Sequence, residues 1–334
     1  MKPTIKDVAR EAGVSIATVS MVINDKADRI SDDTIDRVKQ VIEKLNYTPN
    51  KNAQNLQKRK TNLIALLVPD LKNSFYTEIA DSAIKAAEKK GYLLTLIDLP
   101  YSDSHKKRIY ETFNANQFAG ALVVSRKFDE DILILLEEVD LPYVLLDESI
   151  KFKDRSSLIT GNNRLGGALV AEYFIKKGHR RLACITGPDN TPNSMKRLSG
   201  FVNEINKYGI ILEKENIVCG NYTLEGGYEA GKELINKDIT GIFAFNDLSA
   251  IGCINYFREN GKRIPEDISI IGYDHINISD YLFAKLTTVD QRVSKIGIEG
   301  VELLISKIDG KKTIGDKFID PIFIEGETVK DLSN

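Results

Sequence analysis

Residues 4–24 read TIKDVAREAGVSIATVSMVIN, and the first step of the fold follows from this stretch. Apolar side chains recur at Ile5, Val8, Ala9 and Ala12, then at Val14, Val19, Val22 and Ile23. That spacing predicts one buried stripe on each of two short helices, Ile5 to Ala12 and Ser15 to Asn24. Only Gly13 and Val14 separate them. Gly13 supplies the tight turn, because glycine enters left-handed backbone freely. Ser15 is the expected N-cap of the second helix, and Thr4 with Asp7 three residues on has the spacing of a capping box. Two short helices joined this closely predict a helix-turn-helix, in which the second helix enters a DNA major groove.

At about 100° per residue, Ile16, Ala17, Ser20, Met21 and Asn24 share an arc of roughly 140° facing away from Val19, Val22 and Ile23. A solvated helix usually carries Lys and Glu on its outer face. The small, hydroxyl and apolar groups here suit base edges and thymine methyls instead, so Ile16, Ala17 and Met21 are the expected base readers. Thr4, Ser15, Thr18, Ser20 and Asn24 are the polar groups expected at the duplex. The competing reading, packing of this face on a neighbouring segment, fits an isolated amphipathic helix better than one in so tight a turn. A third helix is predicted from Ser31, with Ile35, Val38, Val41, Ile42 and Leu45 at helical spacing. Residues 1–61 hold 12 Lys and Arg against 8 Asp and Glu, a net +4, which leaves −6 for the remainder of a chain at −2. The basic excess lies where phosphate contacts are expected.

Beyond Thr61 the pattern changes to short apolar runs alternating with helical segments: NLIALLVP, LLTLID, GALVVS, YVLLD, LACITG, GIFAFN and ISIIGYD. This alternation predicts parallel sheets covered by helices on both faces. Some 270 residues exceed one compact core, so two such lobes are expected, with a ligand cleft between them. Asp147, Asn246, Asp247 and Asp274 end strands where that cleft would open. Carboxylates and an amide there suit a hydroxyl-rich ligand. Asp247 reads better as a cap of the helix that follows, which leaves Asp147, Asn246 and Asp274 as the stronger candidates.

Other classes find little support. MKPTIKDVAREAG carries charges throughout and lacks the apolar run of a secretory leader, and no segment is long enough to span a bilayer, so a cytoplasmic protein is expected. Cys184, Cys219 and Cys253 are far apart among apolar neighbours, as free buried thiols would be, and predict no metal site. An enzyme would need a motif that is absent: GxGxxG after a strand, GxxxxGK[ST] or HExxH. His105, His179 and His275 are scattered. His179 reads as a helix-end residue, and His275 beside Asp274 is a weak acid–base pair.

In order and spacing, TIKDVAREAGVSIATVSMVIN, LNYTPNKNAQNL, NLIALLVPDLKNSFY, GPDNTPNSMKRLSGF, GIFAFNDLSAIG, IPEDISIIGYD and LTTVDQ resemble the LacI family of transcriptional regulators from end to end. The resemblance implies an α/β chain in three parts: an all-α helix-turn-helix domain (1–48), a hinge helix (49–61) and a two-lobed, periplasmic-binding-protein-like effector domain (62–334). It places Asn50, Ala53 and Leu56 at the DNA, with Leu56 as a minor-groove wedge. The hinge NKNAQNLQKRK has no acidic residue and is too short to hold a helix alone in water. Gln54 stands where the family usually has Arg, and Met21 where Arg or His is common.

In the effector domain the resemblance adds Arg197 as a ligand-binding arginine, Tyr222 as a stacking aromatic, and Phe75, Tyr76 and Gln291. An arginine fork and an aromatic face are chemically suited to a sugar or a purine. Phe75 and Tyr76 read equally well as core at a helix start. Gly161 stands where the family often has a ligand-touching aspartate. The implied protein is a homodimer on palindromic operator DNA, released or tightened by a small molecule, with a sugar favoured by the acceptor-rich cleft, and it needs no cofactor or metal. Two other inputs fit the same family, a phosphorylated carrier protein and a purine corepressor.

Overall fold

The computed structural model describes residues 3–23, 27, 30–45, 61–98, 103–115, 117–124, 130–147, 157–282, 284–311 and 315–333. The contacts divide the chain into two units, Met1–Thr61 and Asn62–Asn334.

In the first unit, α1 (Ile5–Ala12) and α2 (Ile16–Ile23) are followed by α3 (Asp32–Lys44). The Asp7 carboxylate accepts from the backbone N–H of Thr4 at 2.9 Å and from its hydroxyl at 2.7 Å. These bonds hold the Asp7 carboxyl below the usual carboxylate range. Gly13 closes α1 at φ +64°, and the Ser15 hydroxyl accepts the Thr18 N–H at 3.1 Å, so sequence and turn agree residue by residue. Ser31 stands at the N-cap position of α3. It precedes α3, but its hydroxyl meets that of Thr34 at 2.9 Å and takes no backbone amide. Val8, Ala9, Ala12, Val19, Val22, Val38 and Val41 form the buried centre shared by the three helices.

The second unit contains two parallel sheets. Strands β1 (Leu63–Val68), β2 (Leu93–Asp98), β3 (Gly120–Val124), β4 (Tyr143–Leu146), β5 (Ser157–Gly161) and β11 (Lys317–Ile319) form the first, in the order β11-β5-β4-β3-β1-β2. Strands β6 (Leu182–Thr186), β7 (Ile217–Cys219), β8 (Gly241–Ala244) and β9 (Ser269–Ile271) form the second, in the order β7-β6-β8-β9. Side chains alternate between two cores on each sheet. Ile64, Leu66 and Val68 pack on one face of β1 while Ala65 and Leu67 pack on the other; on β6, Ala183 and Ile185 oppose Leu182 and Cys184. Burial on both faces explains the unbroken apolar runs. Edge strands differ: on β2 Leu93 is 59% and Leu96 37% exposed, and on β11 Phe318 is 57% exposed.

The connections place the cleft. Chain passes from the first lobe to the second through 161–163 and back through 290–292, then leaves again through 319–322 toward β12 (Ile322–Ile324), which pairs with β10 (Thr288–Asp290). The first and third crossings are tied together: Asn162 donates to the Asp320 carboxylate at 2.9 Å, and its N–H bonds to the Ile319 carbonyl. Helix α11 (Val293–Ile308) follows the second crossing and adds Val293, Ile296, Val301 and Leu304 to the first lobe's core. No described helix is long and apolar enough to cross a membrane.

Candidate functional site

Arg197 is the centre of the cleft. It lies on α8 (Pro192–Asn206), the helix after β6, and is 4% exposed. Its Nε donates to Asn163 Oδ1 at 2.7 Å and its Nη1 donates to the Phe245 carbonyl. The guanidinium carbon sits 3.8 Å from the centre of the Tyr273 ring and 5.7 Å from that of Tyr222. Nη1 is 3.9 Å from Asp274 Oδ1. Burial works against the charge, but Tyr222, Tyr273, Asp274 and Asp147 outweigh it and hold the guanidinium protonated.

The carboxylates face it from both lobes. Asp147 follows β4 of the first lobe at φ +68°, and the Asn193 amide of the second lobe donates to its Oδ1 at 3.1 Å and to its carbonyl at 3.3 Å. Removal from water pushes the Asp147 carboxyl up to about 6 against the pull of Arg197 and Asn193. Asp274 follows β9 at φ +115° and accepts from Gln291 Nε2, in the second crossing, at 2.5 Å. Burial raises its carboxyl well above the ordinary value, with Arg197 opposing and nearby Asp247 reinforcing the shift. Left-handed backbone in a non-glycine residue costs of order 1 kcal/mol or more. Asp147, Tyr222 at φ +61° and Asp274 all carry that cost around Arg197.

Other expected residues have structural partners. Asn246 accepts the Ser249 N–H at 3.0 Å as N-cap of α10 (Asp247–Glu259) and donates to the Tyr222 carbonyl at 3.0 Å, so it anchors the loop that carries Tyr222. Asp247 does not cap that helix. Its carboxylate accepts from Thr288, Ser279 and the Ile276 N–H, an entirely internal set. Phe75 is buried in the first lobe's core, and Tyr76 packs on that core, edge-on to Phe75 at 5.3 Å. His275 Nε2 lies 3.3 Å from Asp280, while Asp274 engages Gln291, so the two neighbours are not a dyad. His179 is buried between the Thr240 hydroxyl and the Lys330 carbonyl. Cys184 and Cys253 are buried as expected, with thiols raised by burial, but Cys219 is exposed. Among the described residues no group of three or more His, Cys, Asp or Glu could hold a metal ion.

The sequence reading passed over Asn163, Asn193 and Tyr273. Asn193 stands four residues before Arg197, on the same face of α8, which could have marked it. Tyr273 precedes Asp274 and needs the room left by Gly166, where a Cβ would meet its hydroxyl at 2.1 Å. A Cβ at Gly161 would meet Gln291 Oε1 at 2.9 Å, so Gln291 lies against the position where the family aspartate is missing.

On the first unit, Ile16 is 45% and Met21 39% exposed, with Ala17 between them also exposed. Ser15 and Thr4 are exposed, and Thr18 and Ser20 are half-buried. Asn24, Asn50, Ala53 and Leu56 lie outside the described residues.

A three-helix unit with an apolar outer face on its second helix and a two-lobed unit with buried charges where its lobes meet together define a ligand-responsive DNA-binding regulator. Residues 4–50 match the family described as bacterial regulatory proteins, lacI family, and residues 171–329 match the periplasmic binding protein-like domain. The chain is 32% identical to the HTH-type transcriptional repressor PurR of Vibrio atlanticus (strain LGP32), across 99% of each chain. It is 33% identical to the HTH-type transcriptional regulator DegA of Bacillus subtilis (strain 168), across 96% of each. Among solved structures, the lac repressor dimer bound to operator and the anti-inducer ONPF is 25% identical with a TM-score of 0.86, covering 99% of this chain and 100% of that one. The transcriptional regulator CelR–cellobiose complex is 27% identical with a TM-score of 0.76, covering 98% and 99%. The chain therefore belongs to the lacI family of bacterial regulatory proteins, transcriptional repressors with an effector-binding domain, and not to a class of enzymes.

Proposed function

We propose that this chain is a dimeric cytoplasmic repressor whose affinity for a palindromic operator is set by a sugar held between the two lobes of 62–334. Residues 1–48 are the DNA-binding domain in this reading and 49–61 the hinge. Ile16, Ala17 and Met21 read bases, Thr4, Ser15, Thr18, Ser20 and Asn24 support them, and Asn50, Ala53 and Leu56 contact the DNA, with Leu56 as the minor-groove wedge. One recognition helix reads few base pairs, which favours two subunits on a two-fold site. The effector meets Arg197, Asp147, Asp274 and Gln291, with Tyr222 and Tyr76 as covering rings and Asn246 and Phe75 as supports.

The observation that carries this reading is the buried arginine flanked by carboxylates from both lobes, a polar centre that costs stability unless a ligand uses it. The relatives named PurR support a second reading, in which a purine fills the cleft and strengthens operator binding. Fluorescence anisotropy with DNA from upstream of the protein's own gene, against random duplex at moderate salt, tests the operator. A thermal-shift screen of sugars and purines tests the ligand, since a compound at 100 times its Kd stabilises the receptor by about 2.7 kcal/mol. Equal affinity for both duplexes, with and without metabolites, would refute the proposal.

A further inference from the structure

We infer that α2 discriminates its operator through pyrimidine 5-methyl groups, so that 5-methylcytosine serves in place of thymine while uracil and unmethylated cytosine are rejected. This rests on the reading of α2 as the helix that enters the major groove. Its eight residues, IATVSMVI, include no amide and no ionisable side chain. None of the pairings by which Arg, Lys, Asn, Gln, Asp or Glu tell bases apart is therefore open to it. The hydroxyls around it are already engaged. Ser15, which opens the helix, accepts the Thr18 N–H at 3.1 Å, and the Ser15 and Thr18 hydroxyls meet at 2.9 Å. Ser20 is half-buried and has an interaction of its own within the chain. What the helix offers outward is apolar: Ile16 is 45% and Met21 39% exposed, Ala17 is exposed between them, and none of the three belongs to the centre shared by the three helices.

In the major groove the 5-methyl group is the one apolar feature that a base pair presents. Guanine, adenine or unmethylated cytosine opposite these side chains would give up hydrogen bonds to water and gain none in return. Thymine and 5-methylcytosine carry the same methyl on the same ring carbon. They differ beside it only in the thymine O4, an acceptor, and the cytosine N4 amino group, a donor. An aliphatic side chain cannot tell those two apart, and the Met21 thioether, unbranched and at most a weak acceptor, adapts to either. Ile16 and Ala17 lie in the first turn of α2 and Met21 one turn later, about 6 Å along the axis, so methyls on more than one base pair are within its span.

Full-length protein is used to select binding sites from a random duplex pool, with and without sugars and purines. At each thymine of the enriched half-site, fluorescence anisotropy then compares two matched pairs that differ by a single methyl: thymine with uracil, and 5-methylcytosine with cytosine. At two or more positions the methyl should raise affinity about fourfold, by a similar factor in both pairs. The double variant Ile16→Ala with Met21→Ala changes only exposed side chains, so it should keep the fold and bring both factors toward one. Low salt holds its weaker complexes together through the phosphates, so the factors stay measurable. Enriched half-sites without thymine, a methyl effect below about 1.5-fold at every position, or a thymine effect that 5-methylcytosine does not reproduce overturns the inference and leaves α2 as the recognition helix. A methyl factor undiminished in the double variant belongs to DNA shape or to another segment and overturns it as well. A pool from which no sequence is enriched removes the operator reading itself.

Discussion

Arg197→Met keeps the length and apolar stem of the side chain over the Tyr273 ring while removing the only buried cation facing Asp274 and Asp147 among the described residues. Two unit charges 3.9 Å apart, the Arg197–Asp274 separation, attract by about 4 kcal/mol at an effective dielectric near 20. The lost charge-assisted bond to Asn163 would add about 1.5–3 kcal/mol if it were independent. These terms overlap, and breaking a buried pair from one side typically costs about 3–5 kcal/mol, which is the expected loss. For a unit of this size, about 2 °C of melting temperature accompanies each kcal/mol, so the variant should melt about 6–10 °C below wild type near pH 8.

The deficit has a direction in pH. Burial already places the folded-state pKa of Asp274 above its unfolded value, and loss of the arginine raises it further. A carboxyl shifted upward loses stability as pH rises from the unfolded pKa toward the folded one. The variant's deficit should therefore shrink as pH falls, because a protonated carboxyl no longer needs a counter-charge. Asp147, at about 6, adds a smaller slope of the same sign between about pH 4 and pH 6 in wild type. Differential scanning fluorimetry of full-length protein at pH 5.5 and pH 8 measures both. A melting point within about 2 °C of wild type at pH 8, or a deficit that grows in acid, would show that Arg197 does not neutralise these carboxylates.

Three further outcomes are expected. Gly166→Ala drives a Cβ to 2.1 Å from the Tyr273 hydroxyl, so it should cost about 1–3 kcal/mol and blunt the effector response while operator binding persists; melting and anisotropy read the two effects. Leu56→Ala should weaken operator binding sharply and leave effector affinity nearly unchanged, which paired anisotropy and calorimetry will show. Burial lowers the pKa of His179, so its contribution is present above about pH 6.5 and fades as pH falls toward the folded value. Denaturant titrations should find the penalty of His179→Gln largest at pH 7.5 and shrinking in acid.

The amino-terminal unit was legible because its determinants are local. Gly13, Ser15 and the two apolar stripes each constrain backbone within one turn, and the turn they imply is the turn observed. The strands with long apolar runs were legible for the related reason that burial on both faces leaves no polar positions. Strands β5, β7, β10, β11 and β12 were not: Thr288–Asp290 and Lys317–Ile319 carry polar residues within the strand, and Phe318 pairs with Thr160, far away in sequence. The cleft was half legible. Asp147 and Asp274 carry charge just beyond the carboxyl ends of strands, where ligands bind, and Arg197 lies in the second turn of the helix after β6. Asn163, Asn193 and Tyr273 gain their meaning only from what they touch, and Asn246 and Asp247 are polar groups at the right strand end whose bonds run inward.

The same contacts bear on how occupancy could alter the protein. The lobes are joined by Asn193 to Asp147, by Glu78 accepting the Asn277 N–H at 3.2 Å, and by Gln291 reaching from the crossing to Asp274. The first and third of these use groups that a ligand would need. A compound shifts a conformational balance only by the difference in its affinity for the two states. A sugar that replaces Asn193 at Asp147 while donating to the freed amide oxygen exchanges one lobe-to-lobe bond for a bridge through itself. The Glu78–Asn277 contact involves none of the groups in that exchange. Asn193→Ala removes the direct bond without removing a charge. If the bond restrains the lobes, this variant should show altered operator affinity without effector and a smaller change on adding it. An unchanged response in anisotropy would mean that the lobes are held by the crossings alone.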